Sequence, residues 1–247
     1  MGADARRRLE TWRIVLGSAC VLAWALLARD ANGLSSSGFC SRGAVGASSL
    51  GIASASAATL VWDWALMIVA MMAPLVAAPL QHLRDRSFAR RRAPATALFL
   101  LGYLIAWTAA GVGLLTLAEA PRASPLAAEP GFALAAAAAA LWQASPAKQW
   151  ALNRCCRRPQ LAAFGAAADR DALGFGLTHG AACVGACWAL MALLLFSGRG
   201  HLAGMALVAL FSFAERLDDP APIAWRWRWP AKALRIAVAQ ARIRLAS

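Results

Sequence analysis

The sequence predicts an all-α polytopic transmembrane helix bundle of about six spans, followed by a C-terminal amphipathic interfacial helix. Three observations carry this. Hydrophobic residues fill 60% of 247 positions and the mean hydropathy is +0.55, more apolar material than one soluble core uses. Apolar runs recur along the chain, several of them near the roughly 20 residues a helix needs to cross a bilayer. The basic residues also sort by side. Of 25 Lys and Arg, all but Arg29, Arg42, Arg122 and Arg199 lie before the first run, between the second and third, between the fourth and fifth, or after the sixth. The positive-inside rule then puts both termini in the cytoplasm of a bacterial-type inner (plasma) membrane and demands an even number of spans.

Each element follows from local pattern. Arg6, Arg7, Arg8 and Arg13 lead into an apolar run over Ile14 to Ala28, read as a retained first helix because a signal-peptide cut after Ala28 would put Leu26 where a small residue belongs. Asp30 to Ala58 is rich in Gly, Ser and Ala and reads as an external loop, with room for a short small-residue helix. The second span runs from Leu60 to Leu80 and carries Pro74 and Pro79 near its end; a basic loop from Arg84 to Arg92 precedes the third, Ala95 to Leu117. Tyr103 or Trp107 is its expected interface anchor. A loop from Glu119 to Pro130 precedes an alanine-rich fourth span, Phe132 to Trp142.

The polar segment Gln143 to Asp171 is expected outside the hydrocarbon. The fifth span, Leu173 to Phe196, reaches the sixth, His201 to Ala214, through Ser197-Gly198-Arg199-Gly200, so these two must be antiparallel neighbours. The tail opens on Trp225-Arg226-Trp227-Arg228-Trp229-Pro230 and continues as a helix with Leu234, Ala237, Val238, Ala241 and Leu245 on one face. Alternating Trp and Arg at such a helix start suits an anionic lipid surface better than nucleic acid.

Residue types inside the spans point to soft-metal chemistry. His179, Cys183, Cys187 and Met191 recur every fourth residue and wind slowly along one helix face. Met67, Met71, Met72 and Asp63 lie in the second span, His201 and Met205 in the sixth. Thiolate, thioether and imidazole together favour Cu(I); zinc fits if His179 completes a tetrahedral set without the thioethers. Asp63 is an ionisable residue near a span start, costly unless it serves a function or sits at the interface. A packing reading stands beside this one. Buried Cys and Met are common gap fillers, and Gly176/Gly180 with Ala182/Ala186 form the small-xxx-small pattern of close helix contact. The six cysteines show no framework spacing, and no disulfide is expected.

Trp64 through Pro74, Gly102-Tyr103-Leu104, Trp142-Gln143 with Pro146-Ala147-Lys148, and His179-Gly180 through Met191 resemble the predicted metal-binding integral membrane proteins, the domain of unknown function 2182. The resemblance runs from about Trp62 to Arg216, and Glu215-Arg216 is similar to the acidic-basic pair closing the family's final span. The chain departs from that pattern at Ala186-Cys187, where relatives often carry Cys-Cys, and at Ala151, where they carry Cys. Cys155 and Cys156 are then what is left of any second, cytoplasmic site.

The division expected is an N-terminal helix and external loop over 1–59, a transmembrane metal-binding-like domain over 60–217, and a Trp/Arg-rich interfacial tail over 218–247. Three functions fit. The first is binding or handling of copper in the bilayer, with a metal chaperone as partner. The second is a non-catalytic subunit or assembly factor of a larger membrane complex. The third, a thiol oxidoreductase using Cys183 and Cys187, is disfavoured because Cβ atoms one helical turn apart lie about 6 Å from each other, beyond disulfide reach. No nucleotide loop, catalytic triad order or paired carboxylates are visible, so an enzyme is not the expectation.

Overall fold

In a computed structural model, residues 3–29, 57–119, 131–194 and 201–246 are described, and they are all-α. The helices are α1 (Ala3–Arg29), α2 (Ala57–Arg86), α3 (Arg92–Glu119), α4 (Gly131–Ala144), α5 (Pro146–Cys155), α6 (Gly165–Leu194), α7 (His201–Arg216) and α8 (Ala231–Ala246). The external loop expected within 30–58, the loop beyond Glu119 and the turn 197–200 fall almost wholly outside the described residues.

α2 continues through Pro74 and Pro79. A proline removes the N–H that would bond the carbonyl four residues back, so Pro74 leaves the Ala70 carbonyl without its helical donor. α1 supplies replacements: Trp24 Nε1 donates to that oxygen at 2.9 Å and Cys20 Sγ at 3.3 Å. The first helix is thereby fastened antiparallel to the second at the point where the second needs outside donors.

The most extensive pairing is α3 against α6. The two run parallel, since Phe99 meets Phe175 and Tyr103 meets His179 in step. Glycine permits the approach. A Cβ on Gly102 would sit 2.5 Å from the Leu173 carbonyl oxygen, and one on Gly176 would run into the Phe99 backbone. This close contact carries Tyr103 and Trp107 inward, where they are 2% and 0% exposed. Neither is an interface anchor, contrary to the sequence expectation; the aromatic pair lines the bundle interior.

Among the described residues, four helical stretches are long and apolar enough to cross a membrane: Thr11–Arg29, Val61–Arg86, Ala89–Leu114 and Gly165–Leu194. The 14 residues of α4 and 16 of α7 extend only about 21 and 24 Å at 1.5 Å per residue, short of a hydrocarbon core near 30 Å. Large apolar side chains such as Val21, Leu101, Val112, Leu207 and Leu210 face outward from the bundle.

The polar segment expected outside the hydrocarbon packs in part against the bundle. α4 and α5 are separated by Ser145, whose hydroxyl accepts the Lys148 N–H at 3.2 Å and caps α5, with Pro146 at its first turn. Ser145, Lys148 and Gln149 are all buried. Burial of the lysine is tolerated because Glu215 of α7 meets it at 2.5 Å and the Phe211 ring lies 5.3 Å from its ammonium. Past α7 the chain is held to α5: the Asn153 side chain donates to the Ala221 carbonyl and accepts the Ala221 N–H, and Gln149 donates to the Arg226 carbonyl. Asp218 then accepts the N–H groups of Ala231 and Lys232 at the start of α8, a carboxylate where the helix dipole favours one.

Candidate metal centre

Cys183 lies halfway along the apolar part of α6 and is 0% exposed. Three other helices converge on its sulfur. From α2, Met72 Sδ approaches to 3.8 Å; from α3, Tyr103 Oη lies at 3.2 Å; from α7, Arg216 Nη2 donates at 3.1 Å. One turn further along α6, the Cys187 thiol donates to the Cys183 carbonyl at 3.1 Å. Both cysteines are free thiols.

Across that 3.8 Å the Cys183 thiol donates to the Met72 thioether; two sulfurs each about 2.3 Å from one ion in a tetrahedral set would stand about 3.8 Å apart, so the contact has a spacing that two ligands of one ion also take. A monovalent ion held by two thiolates would carry one negative charge, which the adjacent Arg216 guanidinium would neutralise; a divalent ion with the same ligands would leave a net positive charge, costly in an apolar interior. Glu215 does not enter this balance because Lys148 holds it.

The remaining sequence candidates divide. His179 is buried one turn before Cys183, stacked on Tyr103 with ring centroids 6.2 Å apart, and its Nε2 makes no hydrogen bond. Met67, Met71, Met191 and Met205 are buried in the same core as Cys183 and Cys187, but Met72 is the methionine whose sulfur contacts Cys183. Asp63 is buried on α2 nine residues before Met72, about 14 Å along the axis. His201 is buried at the start of α7, where its Nδ1 donates to the Leu194 carbonyl at 2.9 Å and ties α7 to the end of α6. Among the described residues, no three His, Cys, Asp or Glu side chains converge closely enough to cage an ion on their own. A centre at Cys183 therefore depends on a thioether.

Arg216 and Tyr103 were not candidates from the sequence. Arg216 was visible only as half of an acidic-basic pair, and nothing local links it to a cysteine 33 positions earlier. Cys155 and Cys156 end α5 on the same side of the bundle as Arg216. Burial pushes the Cys155 thiol up to about 12, while the Arg216 charge opposes that shift; Cys156 is exposed.

Residues 61–238 match the family model PpoB2, described as a copper chaperone. No curated protein and no solved structure matches the chain.

Proposed function

The chain belongs to the PpoB2 copper-chaperone family, and we propose that it is an integral membrane protein that holds Cu(I) as cargo at Cys183 and passes it to a partner. The observation that carries this reading is the 3.8 Å approach of Met72 Sδ to Cys183 Sγ in a fully buried setting. Cys183 and Cys187 supply the thiolates, Met72 the thioether, and His179 stands one turn away as a further donor. Arg216 balances charge. The Arg216 guanidinium donates to the Cys183 sulfur, which keeps a buried polar group paired.

In this reading the bundle sits in the inner membrane with six spans, α4 and α7 being the two short ones, and both termini in the cytoplasm. The resemblance to domain of unknown function 2182 is of one piece with it. The outward apolar side chains of α1, α3 and α7 face lipid, and the exposed Trp225, Trp227 and Trp229 with α8 lie in the cytoplasmic headgroup region.

The test is an anaerobic titration of detergent-purified protein against a chromophoric Cu(I) competitor. The wild type is expected to take copper from the competitor, and the Cys183→Ser/Cys187→Ser variant to lose that ability. Equal affinity in the two proteins would remove the site.

A further inference from the structure

We propose that Arg216 selects the charge of the cargo: its guanidinium against Cys183 makes the buried thiol pair a site for a soft monovalent cation and turns divalent ions away. This rests on the reading of Cys183 given above and deepens it by naming the residue that sets the ligand class. Arg216 Nη2 donates to the Cys183 sulfur at 3.1 Å, and the Tyr103 hydroxyl lies 3.2 Å from the same atom. Of these two neighbours, only the arginine carries charge.

That charge reaches the sulfur uncancelled. Glu215, next to Arg216 on α7, is held by Lys148. Asp218 accepts the N–H groups of Ala231 and Lys232, and Asp219 pairs with the Lys232 ammonium at 2.6 Å. Among the described residues, no carboxylate forms an ion pair with Arg216. A guanidinium turned into the bundle without a carboxylate is costly, and the group it donates to is a thiol that binds metal only as the thiolate.

Counting charge gives the selection. Two thiolates, a monovalent ion and Arg216 sum to zero, whereas a divalent ion leaves a net positive charge in an apolar interior. Without Arg216 the count inverts, and the divalent ion becomes the balanced one. Neutral donors such as Met72 and His179 do not alter the sum, so the selection holds whichever of them completes the set. Binding is a ligand exchange without electron flow: metal–sulfur bonds to Cys183 and Cys187 form as those to the delivering ligand break, and the thiol protons leave to solvent. Arg216 can stay in place throughout, because a metal-bound thiolate still accepts hydrogen bonds through its other lone pairs.

The experiment measures the Cu(I), Ag(I) and Zn(II) affinities of the full-length protein in detergent, each against a chromophoric competitor, for wild type, Arg216→Gln, Arg216→Lys and Tyr103→Phe. In Arg216→Gln, Cu(I) and Ag(I) are expected to bind at least about ten-fold more weakly, the scale on which groups supporting a ligand act at metal sites, and Zn(II) more tightly. Arg216→Lys keeps the charge and should keep the wild-type order. Tyr103→Phe removes a neutral partner of the same sulfur and should not shift the two charge classes in opposite directions. A parallel change or no change across the three ions in Arg216→Gln, an opposite shift in Tyr103→Phe, or an Arg216→Lys protein that behaves as Arg216→Gln overturns the selection and leaves the site standing. Unchanged Cu(I) affinity in Cys183→Ser/Cys187→Ser overturns the site, and the selection falls with it. Should Arg216→Gln misfold, Arg216→Met, which keeps the stem without a polar head, must show the same opposite shifts; a parallel change there also overturns the selection.

Discussion

Replacing Lys148 with Met should be among the most destabilising single changes in the molecule. The ammonium and the Glu215 carboxylate meet at 2.5 Å with side chains 1% and 3% exposed, and methionine keeps the stem while deleting the charge. Leaving one member of a buried pair costs about 3–5 kcal/mol. Arg228 and Arg216 still act on Glu215, so the lower end, about 3 kcal/mol, is the expected value, or about two decades in the folding constant. Lys148→Met/Glu215→Leu removes both charges and should recover most of the loss, because a buried ion pair exchanged for apolar groups is often neutral. Unfolding in mixed micelles by titration with sodium dodecyl sulfate, followed through the chain's 11 tryptophans, measures all three proteins. A single variant within about 0.5 kcal/mol of wild type, the range of ordinary surface changes, would refute the argument, and so would a double variant less stable than the single.

Gly176→Ala should cost about 1–3 kcal/mol in the same assay by forcing α6 away from the Phe99 backbone, whereas Gly174→Ala, with open space around its Cβ position, should be neutral or mildly stabilising. Met72→Leu keeps the core volume but removes the sulfur beside Cys183, so Cu(I) affinity should fall while the fold persists; Met71→Leu should leave affinity unchanged in the same competitor titration. Asn153→Ala deletes both bonds to Ala221, and limited proteolysis should then cut the segment between Arg216 and Trp229 faster than in wild type.

Much of the all-α fold was legible because apolar runs of helical length are a property of the sequence, and four of them appear as helices long and apolar enough to cross a membrane among the described residues. The small-residue face of α6 was equally visible, since Gly176 and Gly180 recur at helical spacing. The partner of that face was not. α3 offers Gly102 in a run that reads as an ordinary span, and its parallel approach buries Tyr103, whose hydroxyl otherwise suits a membrane interface. Met67, Met71 and Met72 were all candidates, and it is Met72 whose sulfur meets Cys183; periodicity fixes which residues share a face and leaves open which face turns toward α6. The structural use of Cys20 and Trp24 depends on a carbonyl freed by Pro74 on another helix. Lys148 sat in a segment whose charge argued for solvent, and its partner Glu215 lies 67 residues away, beyond any local signal.

X-ray absorption at the copper edge, on protein loaded with one equivalent of Cu(I), tests the centre most directly. Sulfur scatterers at about 2.3 Å, the distance typical of a thiolate on a closed-shell ion, are expected in the wild type, with the shell diminished in Met72→Leu and lost in Cys183→Ser/Cys187→Ser. A shell of nitrogen and oxygen alone, or a sulfur shell unchanged in the cysteine variant, would contradict copper binding at Cys183.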